Sequence, residues 1–493
     1  MARRALASPP TRHTGNGGRR RRISTSSIPP GSIRRRKQGM ASTMTSNSRK
    51  ATVAGAIGNF IEWFDYSIYG FMAVTIAAAF FPGEDPTAAL LATFGVFALP
   101  VITRPLGGVV FARFGDRIGR KRTLALVLIL MSLSTGSIGL IPSYAAIGVA
   151  APLLLVVARI VQGFSAGGEY AGGAALIAES VPAKRRGLMV SLMPSSTGFG
   201  LLAGSIFAVV LAGALTPDQM QSWGWRVGFL IAIPLGVVGL YIRLRLEETA
   251  SFTELAEADE VATSPVRETL RTHLADVLKV AGIALGQTVC YYVVLVYTPT
   301  FLRTELGYSQ SSSLVSTSLA IAVYALTIPV AGRLSDRIGR KPLLFVGSIA
   351  MLVLIFPTFL LMQGGAHPVL VAVLQVLAGG LALGCYTGPL VCTWVELFPT
   401  RVRYTGVSLG FNLSVIASVS SPFILTWLIS VTGSGLMPAL YVAIAVAVSL
   451  LTLFVLPETA PALGAHDHVA PAARHRRPGA GTDSVPSHTE DAR

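Results

Sequence analysis

Gly115-Asp116-Arg117-Ile118-Gly119-Arg120-Lys121 returns 220 residues later as Ser335-Asp336-Arg337-Ile338-Gly339-Arg340-Lys341. A second set, Glu179, Pro182, Arg186 and Gly187, returns as Glu396, Pro399, Arg403 and Gly406, displaced by 217 to 219 residues. Two charged motifs repeating at nearly one offset mark a duplicated unit. The residue types have a physical logic. Gly119 and Gly339 permit a tight turn, and Asp116 and Asp336 can accept hydrogen bonds from a helix start or pair with Arg. Arg117, Arg120, Lys121, Arg337, Arg340 and Lys341 suit helix ends or lipid phosphate. With Glu179, Arg186, Glu396 and Arg403 they read as a conformational latch that holds one of two rocking states. The plainer alternative is a solvated basic loop that only sets topology. The recurrence of Asp and Gly, beyond the charges, favours the latch.

These turns are set among apolar segments. Of 493 residues, 52% are hydrophobic and 13% charged, which excludes an ordinary soluble globular chain. A span-length window finds about twelve segments, near 51–81, 88–114, 123–142, 151–178, 187–214 and 224–244, then 276–302, 310–333, 343–364, 368–398, 402–431 and 436–456. The expected fold is therefore an all-α membrane protein, with twelve transmembrane helices in two pseudo-symmetric six-helix bundles, 51–244 and 276–456. A polar cytoplasmic linker, 245–275, joins them. Loops after the second, fourth, eighth and tenth spans carry the Lys and Arg, and the alternate turns lack them; only Arg303 departs from this. The positive-inside rule then places both termini in the cytoplasm of a multi-pass plasma-membrane protein.

The formal charge of +16 does not indicate nucleic acid, because thirteen Arg or Lys and no acid fall within residues 1–50. That Ser-, Pro- and Gly-rich basic tail is expected to be disordered, as is the tail 457–493. It has no apolar signal core. Its Arg clusters suit anionic lipid headgroups, and Met40 or Met44 is an equally good start. Cys290, Cys385 and Cys392 lie within apolar spans without paired spacing, so neither a disulfide nor a metal is expected. No nucleotide-binding loop occurs and no soluble stretch is large enough for a nucleotide domain, which argues against a pump or an enzyme. No cofactor is expected.

Polar groups inside the spans carry the functional signal. In Gly58-Asn59-Phe60-Ile61-Glu62-Trp63-Phe64-Asp65-Tyr66-Ser67-Ile68-Tyr69-Gly70, helical spacing puts Asn59, Glu62, Asp65, Tyr66 and Tyr69 on one arc of roughly 120°. A mid-bilayer carboxylate costs roughly 2.5–3.5 kcal/mol, so two on one face need partners or have a use. The bland reading is an ion pair that only fixes packing. In the fourth span Arg159, Gln162 and Glu169 share a face, and Gly163 and Gly167 let another helix approach. Counting rise per residue, Asp65 lies level with Arg159, and Glu62 with Arg104 of the second span. The seventh span offers Gln287, Thr288, Tyr291, Tyr292, Tyr297 and Thr298 and no mid-span charge. Its rings suit a cationic head group, with aromatic packing as the alternative. Candidate substrate contacts are Asn59, Tyr66, Tyr69, Gln162, Gln287, Tyr291 and Tyr292.

Together the duplicated D-R-x-G-R-K turns, Arg159-x-x-Gln162-Gly163 and Glu396-Leu397-Phe398-Pro399-Thr400-Arg401 resemble the major facilitator superfamily. Gly58-Asn59-x-x-Glu62-Trp63-Phe64-Asp65, Arg104-Pro105-Leu106-Gly107-Gly108, Gln162–Glu169 and Leu246-Glu247-Glu248-Thr249 resemble its metabolite:proton symporter branch. Gly139–Tyr144, Gly168-Glu169-Tyr170 and Tyr291-Tyr292-x-x-Leu295-x-Tyr297-x-Pro299 are most similar to proline/glycine-betaine transporters. The resemblance implies proton-coupled uptake by alternating access, with Glu62, Asp65, Arg104, Arg159 and Glu169 as the embedded charges of a monomeric carrier. Ala112 departs from the pattern where Gly332 keeps it, so the two latches should differ. The short tail lacks heptads, which speaks against osmotic control through a coiled coil. Symport of mono- or dicarboxylates is the second reading. A drug antiporter, for which the fifth span lacks the expected Gly-Pro pattern, and a non-transporting sensor rank below both.

Overall fold

The computed structural model describes residues 30–83, 86–245, 248–258, 260–308 and 310–463. The chain divides into two units, Met1–Thr43 and Met44–Arg493. In the small unit the described residues, from Pro30 onward, are helical. The helix Pro30–Phe71 therefore starts well before the Ala51 expected from the apolar run. Pro30 suits a helix start, and no proline follows it until Pro82, so nothing in the sequence stops the helix from extending backward. Residues 1–29 and 464–493, which include most of the two expected tails, lie outside the described residues.

In the large unit the described residues are helical or irregular, with no strand. Among the described residues, ten helices are long and apolar enough to cross a membrane. The two other expected spans are interrupted. The first breaks at Met72, between Pro30–Phe71 and Ala73–Phe80. The eleventh breaks at Ser420, between Arg403–Val419 and Ser421–Thr432, where Pro422 enters at the first turn of the second piece. Short helices Ala250–Glu257 and Pro265–Thr272 occupy the linker.

Close backbone approach fixes the first bundle. The second span, Pro86–Ile118, packs along the fourth, Ala150–Ser180. A Cβ on Gly163 would stand 2.2 Å from Pro100 Cα, and one on Gly167 would stand 2.0 Å from the Arg104 carbonyl oxygen. Only hydrogen fits at either place, and the approach draws Arg104 toward the polar face of the fourth span. The halves meet through two equivalent pairs, second span with eleventh and fifth (Arg186–Ala214) with eighth (Gln310–Ile338). The duplicated turns match in backbone as in sequence, with φ of 102° at Gly119 and 105° at Gly339. Among the described residues three stretches widen to π geometry, at Met220–Gly224, Tyr291–Tyr297 and Val376–Ala382. Such widening re-aims side chains and often marks a functional place.

Candidate functional site

Three buried ion pairs line the first span. Arg104 bonds Glu62, and Arg159 lies 3.4 Å from Asp65. The third joins Glu169 to Arg243 of the sixth span, a partner that sequence reading did not provide. Gln162 completes the Asp65 cluster: it accepts from Arg159 at 2.5 Å, donates to Asp65, and donates to Thr135 at 2.9 Å. The Arg159 guanidinium lies 4.1 Å from the centroid of the Tyr69 ring and 5.5 Å from that of Tyr66. Burial of these pairs is costly unless hydrogen bonds complete them, and these clusters supply such bonds.

A cavity of about 50 Å3 lies between the halves, enough for a few waters or a small solute. Arg104 is the one charged residue among the described residues that line it, and Trp63, Tyr170, Tyr291, Tyr292, Tyr324 and Phe411 supply its aromatic wall. Tyr291 is the hub, with ring centroids 5.6 Å from Trp63, 5.7 Å from Tyr292 and 6.0 Å from Tyr324. The buried Trp63 Nε1 and Tyr291 hydroxyl have no partner among the described residues. Both can donate a hydrogen bond.

Of the substrate candidates, Gln287, Tyr291 and Tyr292 line this cavity, whereas Asn59, Tyr66, Tyr69 and Gln162 do not. The Asn59 amide nitrogen is directed to the fifth span, donating at 2.9 Å to the Met193 carbonyl, Ser196 and Thr197. Tyr69 donates to the Thr93 carbonyl at 3.3 Å. The polar stripe of the first span thus turns into its own bundle, and Trp63 beside it faces the cavity. A helical wheel gives relative faces but not which neighbour each face meets.

At one end the duplicated turns join the halves crosswise. Asp116 accepts from the backbone N–H of Tyr404 (3.3 Å) and Thr405 (2.9 Å) and from the Thr405 hydroxyl (2.7 Å), at the start of the eleventh span. Asp336 does the same for the fifth span, accepting from Gly187 (2.8 Å) and Leu188 (3.0 Å). Arg120 and Arg403 meet Glu179 at 3.2 and 2.6 Å. Arg340 and Arg186 meet Glu396, each at 3.3 Å. Glu248 caps the third span through Arg120 and Lys121, and Glu458 caps the ninth through Arg340 and Lys341. Thr249 and Thr459 each donate at 2.8 Å to Glu179 and Glu396. Leu246-x-Glu248-Thr249 and Leu456-x-Glu458-Thr459 are thus a third repeat, which reading the end of the chain as a tail concealed. Arg117 and Arg337 are exposed, outside this network.

Crosswise contacts between the duplicated turns, a cavity between pseudo-equivalent bundles and buried arginine–carboxylate pairs are the architecture of a carrier. The chain belongs to the major facilitator superfamily. The Major Facilitator Superfamily model matches residues 55–323, and the Sugar (and other) transporter model matches 253–462. The chain is 38% identical over 422 residues to the Proline/betaine transporter of Salmonella typhimurium, with 84% of each chain covered. It is 39% identical to the Glycine betaine/proline/ectoine/pipecolic acid transporter OusA of Dickeya dadantii, again with 84% of each covered. The fold is also that of the proton:xylose symporter XylE bound to 6-bromo-6-deoxy-D-glucose. There the TM-score is 0.73 at 19% identity, over 86% of this chain and 98% of the other.

Proposed function

We propose that the protein is a proton-coupled symporter that moves a small zwitterion, of the proline or glycine-betaine class, inward across the plasma membrane by alternating access. The observation that carries this is the cavity wall: one arginine, already paired to Glu62, among aromatic rings. A substrate carboxylate and Glu62 compete for Arg104. Protonation of Glu62 frees the guanidinium, so proton and substrate bind together, which is the linkage a symporter needs. The unpartnered Trp63 and Tyr291 donors complete the carboxylate site. The ring faces of Tyr291, Tyr292 and Tyr324 suit a quaternary or secondary ammonium. The latch seals the end that carries the basic loops, which we assign to the cytoplasm, so the state described is closed inward. The linker and both termini then lie in the cytoplasm, and each carrier works as a monomer in the lipid bilayer.

The test is uptake of labelled proline, betaine, succinate, 2-oxoglutarate and shikimate into vesicles with and without an imposed pH gradient. Proline or betaine should accumulate only with the gradient. Glu62→Gln should bind substrate equally from pH 5 to 8 and lose accumulation. Uptake by that variant that stays concentrative and pH-dependent would remove Glu62 from the coupling step.

A further inference from the structure

Between the Glu62–Arg104 pair and the latch lies the third ion pair, which the reading above does not use. Glu169 and Arg243 are both buried. Gly58 fixes their place on the first span: a Cβ there would stand 1.9 Å from Glu169 Oε1 and 2.1 Å from Arg243 Nη2. Gly58 precedes Glu62 by one turn, a rise of about 6 Å. From the other half, the Tyr404 hydroxyl donates to the carbonyl of Gly168, the neighbour of Glu169. A Cβ on Gly172 would stand 2.4 Å from the same hydroxyl. Tyr404 is thus wedged against the fourth span beside Glu169, and its backbone is held by the latch residue Asp116.

Two features go beyond packing. Glu169 Oε2 is buried with no partner among the described residues, so it has a free position for a proton. Arg243 also donates to the carbonyls of Ala54, at 3.3 Å, and Leu124, so its guanidinium stays bonded when Glu169 is neutral. The titratable and charged groups facing Glu169 are Arg243 on the sixth span, Glu62 on the first, itself paired with Arg104, and Tyr404 on the eleventh, with Asp116 and Arg120 behind Tyr404.

We propose that Glu169, held by Arg243, is the proton-release station on the latch side and that Tyr404 is its plug. This rests on the symport reading above. Once the latch opens and substrate leaves, Arg104 draws Glu62 back to its carboxylate. The proton of Glu62 passes through water to the Glu169 carboxylate, which becomes neutral and parts from Arg243. Glu169 then yields the proton to cytoplasmic water as hydronium and pairs with Arg243 again. With the latch shut, Tyr404 keeps that exit dry.

The test uses the full chain in proteoliposomes with an internal pH dye. Glu169→Gln should lower gradient-driven proline accumulation at least tenfold while reducing proline exchange at equal pH less than threefold. Because that variant strands a buried arginine, the neutral pair Glu169→Gln/Arg243→Gln is measured beside it and should behave alike. Tyr404→Ala should leak protons several-fold faster than wild type without substrate, and adding Glu169→Gln should abolish the leak. Near-normal accumulation by Glu169→Gln overturns the proposal. So does an equal loss of exchange in both Glu169 variants, or a Tyr404→Ala leak that ignores Glu169. A failure of the symport reading itself shows elsewhere, as wild-type protein that does not accumulate proline on a pH gradient.

Discussion

At the scale of single residues, Tyr291 is the centre of the aromatic wall and, under the proposed function, of substrate recognition. Its ring touches Trp63, Tyr292 and Tyr324, and its hydroxyl is an unspent donor. A cation–π contact contributes about 0.5–2 kcal/mol, and 1.4 kcal/mol is tenfold in affinity. Tyr291→Ala and Tyr292→Ala should therefore raise the half-saturation concentration for betaine by roughly twofold to thirtyfold. Tyr291→Phe keeps the ring and loses the donor, so it should cost less for betaine than Tyr291→Ala does. Concentration series of labelled betaine uptake check this, and equal losses for Phe and Ala would assign the role to the hydroxyl alone. The sequence disclosed Tyr291 and Tyr292 because a span without charge leaves few polar groups to choose among. It did not disclose Trp63, which lies between two acids on an obviously polar helix and attracts no notice. Arg243 stayed hidden for another reason: it stands near the end of its span, where an arginine resembles one more loop charge.

At the scale of elements, the latch is a pair of helix starts held by carboxylates. Three donors of the eleventh span converge on Asp116, and an anion at a helix N-terminus is favoured by the dipole as well as by the bonds. Asn in its place keeps one acceptor oxygen but turns an amide toward N–H groups. Asp116→Asn and Asp336→Asn should lower maximal uptake roughly tenfold and leave half-saturation within about twofold, because they act on the balance of rocking states. Loss of affinity at unchanged maximal rate would place these residues in the substrate site instead. The two latches are not equal. A Cβ on Gly332 would stand 2.3 Å from Ser191 Oγ, while Ala112 carries its methyl buried at the equivalent place. If closure depends on this approach, Gly332→Ala should weaken it at the fifth and eighth spans. Faster labelling of a cysteine placed near Gly187 reads that out, and unchanged labelling would show that the eighth span yields without cost.

At the scale of the whole molecule, the duplicated motifs made the two-bundle fold legible, because a period needs no knowledge of contacts. The breaks at Met72 and Ser420 were not legible, since hydropathy averages over a window and passes across a local turn. Charge separates the halves more sharply than shape does. Glu62, Asp65 and Glu169 are matched in the first half by Arg104, Arg159 and Arg243, and the described lining residues of the second half are all uncharged, mostly aromatic rings with Gln287, Thr288 and Val415. A zwitterion entering this cavity adds no net charge, and under the proposed coupling its carboxylate would take the arginine that a protonated Glu62 releases. A dicarboxylate brings a second carboxylate to a wall of aromatic rings, where no cation among the described lining residues answers it. An unpaired buried charge costs several kcal/mol unless a proton enters with it. Betaine and proline should accordingly compete with each other for uptake at pH 7, whereas succinate and 2-oxoglutarate at a hundredfold excess should not compete. Competition that appears only as the pH falls through the range where the second carboxyl takes up a proton would fit the same charge balance. Succinate uptake at pH 7 that survives Tyr291→Ala, with betaine inert as a competitor, would reverse the assignment in favour of dicarboxylates.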